Sequence, residues 1–174
     1  MKTIKAARIH NYGGAETIRV EDATLAGPQP GQLIVRVHAA GVNPIDWKIR
    51  AGYMQQMLPL QFPVTLGGDF SGVVEAAGPD AGFKAGDEVY GQASLANGGS
   101  GSFAESVLAR AGTVAAKPKS VSHVEAGALP LRVSARFRLL PNICAFRAHK
   151  KSSFTAAQAV SAALQSSSPS TSAL

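Results

Sequence analysis

Frequent turn signals are the feature that most constrains the fold of this chain. Glycine, proline and asparagine clusters divide the first 131 of its 174 residues into short apolar segments. The clearest segment is 32–39, where Leu33, Val35 and Val37 alternate with Ile34, the period-two pattern of a strand. The same reasoning predicts strands at 5–10, 17–20, 70–77, 88–91, 103–108 and 113–116. Many short strands predict a mainly β fold, a small closed or nearly closed barrel.

Two short helices interrupt this pattern. Pro44 is suited to the first position of a helix, because the N–H that proline lacks would have no partner there. We therefore expect a turn or two of helix over 45–50, ended by Gly52. Ser122 and Glu125 have the spacing of a capping box, which predicts a second helix starting after Ser122.

The distribution of charge separates the last 43 residues from the rest. The chain has 17 basic and 11 acidic residues. All 11 acidic residues lie within 1–131, together with 11 of the basic ones, so 132–174 carries the whole net charge of +6. That segment is rich in serine and alanine and shows no periodic element, which predicts a disordered or marginally helical tail. No nucleic-acid motif accompanies the charge, and we expect no nucleic-acid partner.

The sequence favours a soluble protein of a reducing compartment. No run of about 18 apolar residues that could span a membrane is present, and the N-terminal residues enter a strand pattern rather than a secretory signal. Cys144 is the single cysteine, so it cannot form an internal disulfide. We expect a cytoplasmic location and no membrane partner.

Six motifs in order resemble one superfamily, the medium-chain dehydrogenase/reductases. They include A-A-G-V-N-P-I-D-W-K-I-R-A-G at 39–52 and F-P-V-T-L-G-G-D-F-S-G-V-V at 62–74, and the others lie at 28–37, 83–91, 101–105 and 123–131. The resemblance implies a GroES-like barrel as the substrate-side catalytic domain, followed by a Rossmann domain that binds the dinucleotide. The active site would lie in the cleft between them.

The residues at two motif positions imply the zinc-independent branch. Zinc-binding members use a cysteine where this chain has Asn43, and a His-Glu pair where it has Gly68 and Asp69. Asparagine is a poor zinc ligand and glycine has no side chain to offer. The chain thus resembles NADPH-dependent quinone oxidoreductases, which reduce quinones and other activated carbonyl or enone acceptors.

The resemblance also implies two site residues. Asn43 is the candidate for hydrogen bonding to the nicotinamide ribose or to the acceptor, since an amide offers both a donor and an acceptor. Tyr53 resembles the tyrosine that borders the acceptor pocket, one position earlier than the commoner R-x-G-x-Y spacing. Asp46 and Asp69 are expected to brace loops rather than to transfer protons.

Residues 132–174 lack the Rossmann pattern that the family would have after Leu131. If the codons of 153–174 are divided one base earlier, suitable synonymous codons allow I-H-G-G-S-G-G-I-G, a glycine-rich pyrophosphate turn. We therefore interpret 1–131 as the GroES-like domain and 132–174 as an aberrant tail produced by a frameshift near codon 131. On this hypothesis the chain does not bind NADP(H) tightly and is inactive alone.

A second interpretation belongs to another functional class. The barrel could act alone as a binding or assembly module, with the basic tail as an interaction arm. A tail that a partner protects from proteolysis would favour this alternative.

Overall fold

The computed structural model of the protein describes residues 1–132. Eight strands dominate: β1 Lys2–Ile9, β2 Ile18–Leu25, β3 Gln32–Gly41, β4 Val64–Thr65, β5 Asp69–Ala77, β6 Glu88–Gln92, β7 Ser106–Arg110 and β8 Val114–Ala116. The helices are α1 Pro44–Arg50, α2 His123–Gly127 and 3-10 turns at Ala15–Thr17, Leu95–Asn97 and Ala111–Thr113. The predicted mainly β fold is confirmed. The two-residue β4 was not predicted, and β7 begins three residues later than expected. The tail from 133 to 174 lies outside the described residues.

The strands form two antiparallel sheets rather than one closed ring. The three-stranded sheet has the order β2-β1-β4, and the five-stranded sheet has the order β7-β3-β5-β6-β8. Backbone hydrogen bonds join them near one edge: Ala7 donates to the carbonyl of Phe103 at 2.7 Å, and Glu105 donates to that of Lys5 at 3.0 Å. The GroES-like domain is therefore a barrel made of two open sheets that share a seam.

The first half of strand β3 is buried on both faces. Leu33 and Val35 belong to the main core cluster with Phe70, as their alternation predicts. Ile34 points the other way and packs with Ile4 beneath the three-stranded sheet, in a second cluster. Burying an aliphatic side chain of this size contributes roughly 1.5–3 kcal/mol. Strand β3 therefore stabilises the core of its own sheet with one face and the contact with the three-stranded sheet with the other.

The two helices flank the C-terminal end of β3. Pro44 begins α1 as predicted, and the chain leaves the helix through Gly52, whose φ of 85° suits a residue without a side chain. Gly41, the last residue of β3, lies against the end of α2, because a Cβ at Gly41 would be 2.6 Å from the carbonyl oxygen of Gly127. This close approach brings α2 to the same end of the five-stranded sheet as α1.

Ser122 and Glu125 form the predicted capping box of α2. The Glu125 carboxylate accepts from the Ser122 backbone N–H at 2.8 Å, and the Ser122 hydroxyl accepts from the Glu125 N–H at 3.3 Å. These reciprocal bonds satisfy two N–H groups that a helix start otherwise leaves without partners. The prediction of a helix starting after Ser122 is confirmed.

Candidate active site

A cavity of about 620 Å³ opens beside α1, at the end of the five-stranded sheet. Its walls come from α1 and the loop after it, from the β4–β5 connection, and from the segments that follow β6 and α2. Apolar side chains make up most of the lining, and a few amide and carboxylate groups interrupt it. The lining residues are Asn43, Ile45, Asp46, Ile49, Met54, Met57, Leu58, 66–69, Gln92, 94–96 and Leu131.

Asn43 lies on this cavity because it is the residue that turns the chain from β3 into α1. Its side-chain amide donates to the Asp69 carboxylate, with Nδ2 3.0 Å from Oδ2. Its backbone N–H donates to the Asp46 carboxylate at 2.7 Å. The structure thus brings this sequence-predicted site residue to the cavity wall, and its role in binding a cofactor or acceptor stays a prediction.

Asp69 is the most connected polar group of the site. The residue is 1% exposed, and it accepts three hydrogen bonds from distant parts of the chain. Besides the Asn43 amide, the Gln92 amide donates to Oδ1 at 3.1 Å and the Leu131 backbone N–H donates to Oδ2 at 3.0 Å. A buried carboxylate requires such donors, because leaving it without partners costs several kcal/mol.

Asp46 is a second buried acidic residue on the cavity wall. Burial raises its pKa above the ordinary value for an aspartate, and the nearby Asp69 adds to the shift, while the hydrogen bond from the Asn43 backbone opposes it. Both Asp46 and Asp69 are engaged in holding local structure. This agrees with their predicted role as residues that brace loops.

Tyr53 lies outside the cavity lining. Its side chain is 72% exposed, and its ring packs edge-on against Trp47 with a centroid distance of 5.5 Å. The chain therefore does not bring Asn43 and Tyr53 to the same wall. The role predicted for Tyr53 as a border of the acceptor pocket stays a prediction.

Sequence reasoning did not identify Gln92 and Leu131 as parts of the site. Gln92 ends β6 and Leu131 follows α2, so both reach Asp69 only through the tertiary fold. The apolar wall formed by Met54, Met57 and Leu58 was also missed. Nothing local in the sequence distinguishes these residues from ordinary loop and core positions.

A separate polar cluster surrounds His123 at the start of α2. Its Nδ1 lies 2.7 Å from the Ser71 hydroxyl and its Nε2 lies 3.3 Å from the Glu88 carboxylate. The His38 ring packs beside it, with the centroids 4.5 Å apart. Burial lowers the pKa of His123, and the proximity of His38 lowers it further. This cluster fixes α2 to strands β3, β5 and β6.

Residues 1–132 lack two features. That part of the chain contains no group of three or more His, Cys, Asp or Glu side chains arranged to hold a metal ion. Nor does it contain a helix that is both long enough and apolar enough to cross a lipid bilayer.

Known proteins match the same part of the chain. The family model of the alcohol dehydrogenase GroES-like domain covers residues 29–119. The chain belongs to this family. Among its relatives, the chloroplastic quinone-oxidoreductase homolog of Spinacia oleracea is 36% identical over 132 residues, which is 75% of this chain and 40% of that protein. The predicted resemblance to quinone oxidoreductases of the medium-chain dehydrogenase/reductase superfamily is confirmed.

Solved structures of quinone oxidoreductases share the GroES-like fold. The quinone oxidoreductase of Coxiella burnetii matches with a TM-score of 0.70 and 30% identity, over 79% of this chain and 45% of that one. The Escherichia coli quinone oxidoreductase complexed with NADPH matches with a TM-score of 0.67 and 26% identity, over 79% and 40%. The chain spans about two fifths of the length of the curated relatives it matches.

Proposed function

We propose that residues 1–131 are the substrate-side domain of an NADP(H)-dependent oxidoreductase that reduces quinones or enones without zinc. The observation that carries the proposal is the cavity beside α1, which is mostly apolar and has the Asn43 amide on its wall. An apolar cavity with few polar groups suits a flat, uncharged acceptor. Membership of the oxidoreductase superfamily supports the same conclusion.

The side chains of the two motif positions do not fit a catalytic zinc ion. Asn43 supplies an amide whose nitrogen donates to Asp69, and Gly68 supplies no ligand. Zinc sites use cysteine, histidine and carboxylate ligands in a tetrahedral set. We therefore derive no step of the reaction through a metal.

The cavity fits the nicotinamide end of the cofactor better than its phosphates. A bound NADPH would supply the hydride, and the protein would supply orientation and a dry environment. The apolar side chains of Ile49, Met54 and Leu58 would exclude water from the reacting atoms. Asn43 would hold a polar group of the cofactor or the acceptor by a hydrogen bond. Within 1–132, no glycine-rich turn leads from a strand into a helix, the arrangement that binds a pyrophosphate.

The domain division predicted from the sequence is part of this proposal. If 132–174 does not form a dinucleotide-binding fold, the 174-residue chain should bind NADPH weakly and show negligible turnover. Fluorescence titration with NADPH is expected to give no saturation below about 10 μM, which corresponds to roughly −7 kcal/mol. A tighter dissociation constant would contradict the division. Sequencing the gene around codon 131 tests the frameshift hypothesis directly.

The compartment is also a proposal. A reducing location such as the cytoplasm suits a sequence whose single cysteine, Cys144, cannot form an internal disulfide. Imaging of the tagged chain in cells tests this expectation, and a signal confined to an organelle would contradict it.

Binding of an acceptor to the isolated chain tests the proposed function. A tetramethyl-substituted 1,4-benzoquinone is a suitable probe, because its ring has no unsubstituted carbon to which the thiol of Cys144 could add. We expect a saturable shift of the backbone amide signals of Gly67 and Gly68 in ¹⁵N NMR, with a dissociation constant near 1 mM for so small a ligand. The Gly112 amide, which lies outside the cavity lining, serves as the internal control. Shifts spread over the surface without saturation would refute the proposal.

A further inference from the structure

Tyr12 contacts both ends of the loop that follows α1. The residue lies between β1 and the 3-10 turn at Ala15–Thr17. Its ring lies against Gly52, because a Cβ at Gly52 would be 3.2 Å from the ring carbon Cγ. Its hydroxyl accepts from the backbone N–H of Leu60 at 3.2 Å, and its ring packs edge-on against Phe62 with a centroid distance of 4.9 Å. One side chain therefore holds the loop where it begins and again where it ends.

The middle of the same loop forms the apolar wall of the cavity. Met54, Met57 and Leu58 line the cavity. A turn keeps this part of the loop together, since the Leu58 N–H donates to the Met54 carbonyl at 2.7 Å. Tyr12 is not among the lining residues. Its influence on a ligand therefore has to pass through the position of the loop.

The position of this loop depends on how its ends are attached. Its outer side is open to solvent, with Tyr53 72% exposed and Met57 81% exposed. Gln55 and Gln56 are exposed as well. Its inner side borders the cavity rather than a packed core. A segment with few buried apolar contacts moves at a low cost in free energy, so its end attachments determine where it lies.

The two ends of the loop are not attached equally. At the start, the Tyr12 ring on Gly52 is reinforced by a backbone bond from the Gly13 N–H to the Arg50 carbonyl at 3.0 Å. At the end, the Tyr12 hydroxyl holds the Leu60 N–H. Removing the hydroxyl alone should therefore release the end of the loop and leave its start in place.

We propose that Tyr12 is a positioning residue for the apolar wall and thereby sets the size of acceptor that the cavity takes. The inference rests on the proposed function for the nature of the ligand, a flat and uncharged acceptor. An acceptor with one ring contacts the wall only when the loop is held close. A larger acceptor reaches the wall even when the loop moves outward. Loss of the hydroxyl should therefore weaken the binding of a small acceptor more than that of a large one.

The affinities of two acceptors for Tyr12→Phe test this proposal in the full 174-residue chain. The variant keeps the ring and removes only the hydroxyl. We expect tetramethyl-substituted 1,4-benzoquinone to bind about 5-fold more weakly than to the wild type, the factor that about one net hydrogen bond provides. The two-ring probe, 2,3-dimethyl-1,4-naphthoquinone, should change by less than about twofold. Both titrations are followed by the Gly67 and Gly68 signals in ¹⁵N NMR.

The outcomes separate this inference from the proposed function. Wild-type binding of the one-ring probe with an unchanged affinity ratio in Tyr12→Phe would overturn the inference and leave the proposed function intact. A wild-type chain that binds neither probe would refute the proposed function. Tyr90→Phe is the matched control, because it removes a hydroxyl from a buried tyrosine that packs with Ala126 of α2, outside the cavity lining. An equal change of the ratio in this control would contradict the proposal.

A measurement without a ligand tests the attachment itself. Amide hydrogen exchange at Leu60 should be about 5-fold faster in Tyr12→Phe than in the wild type. Exchange at Ala7, whose N–H donates to the Phe103 carbonyl at the seam between the sheets, should stay the same. The ¹³C methyl signal of Met54 should also shift, because the wall moves. Unchanged exchange at Leu60, or an unchanged Met54 signal, would overturn the inference whatever the ligands do.

Discussion

The two α-helices start with the same spacing of residues but use it differently. Both have an N-cap residue followed three positions later by an acid, Asn43 with Asp46 and Ser122 with Glu125. At α2 the backbone N–H of Ser122 donates to the Glu125 side chain, and the backbone N–H of Glu125 donates to the Ser122 side chain. At α1 a capping box is present as well, and the Asn43 side-chain amide in addition donates to the Asp69 carboxylate. The cap residue of α1 thus serves both its helix and the cavity wall, whereas that of α2 serves its helix.

The two acids also differ in their electrostatics. Hydrogen bonds from the Ser122 backbone and hydroxyl lower the pKa of Glu125, which is exposed. Burial raises the pKa of Asp46, and Asp69 adds to this effect. The same local rule is followed at both helix starts, and burial at the candidate site reverses the direction in which the pKa of the acid is shifted.

The largest effect is expected when the end of α2 is pushed away from the end of β3. Gly41→Ala would place a methyl group 2.6 Å from the Gly127 carbonyl oxygen, which is backbone and cannot move away alone. We expect a loss of about 3 kcal/mol in the free energy of unfolding, measured by urea denaturation. Gly112→Ala is the control, because within residues 1–132 no atom other than those of its chain neighbours lies within 4 Å of the added carbon. Equal stability of the two variants would contradict the close packing of α2 on β3.

Removing the cap of α2 should have a smaller effect. Ser122→Ala deletes the hydroxyl that accepts from the Glu125 N–H, and loss of such a cap costs about 1 kcal/mol. Ser122→Thr keeps the hydroxyl and should unfold close to the wild-type midpoint. If the alanine and threonine variants have the same midpoint, the capping box does not stabilise α2.

The His123 cluster should make the attachment of α2 sensitive to pH. Burial, then His38, lowers the pKa of His123 in the folded state below its ordinary value of 6.5. Between these two values the unfolded chain binds more protons, so stability falls as the pH drops through 6.5. Urea midpoints at pH 7.5 and 5.5 should differ accordingly. His123→Gln should reduce that difference, and an unchanged difference would exclude His123 as its source.

The smallest effect is the opposite titration of the two capping acids. The lowered pKa of Glu125 means that its contribution to stability is present above its ordinary value of 4.5 and is lost as the pH falls through the folded pKa. The raised pKa of Asp46 gives the reverse, a contribution present below 3.8 and lost as the pH rises through the folded pKa. Carboxyl ¹³C NMR titration measures both values. Shifts of the same sign at Glu125 and Asp46 would remove the contrast between the helix starts.

Features that depend on neighbours in sequence could be predicted. The alternation in β3, the start of α1 at Pro44 and the capping box at Ser122 each involve residues within a few positions of one another. The motif positions also identified Asn43, which lies on the cavity wall. Local patterns carry the information that these elements need.

The polar centre of the site could not be predicted from such patterns. Asp69 is 26 residues from Asn43 and 62 from Leu131, and no periodicity connects such positions. The short β4 also depends on its partner, since Val64 and Thr65 pair with Ile9 and Arg8 of β1. Two residues are too few to show an alternating pattern. Tertiary folding alone determines both features.

The triple attachment at Asp69 has a consequence for protein engineering. The family model ends at residue 119, but the last donor to the Asp69 carboxylate is the N–H of Leu131. A chimera that exchanged this domain between members of the family at residue 119 would leave that oxygen facing a foreign backbone. Crossover points placed after Leu131 would transfer the carboxylate together with all three of its donors.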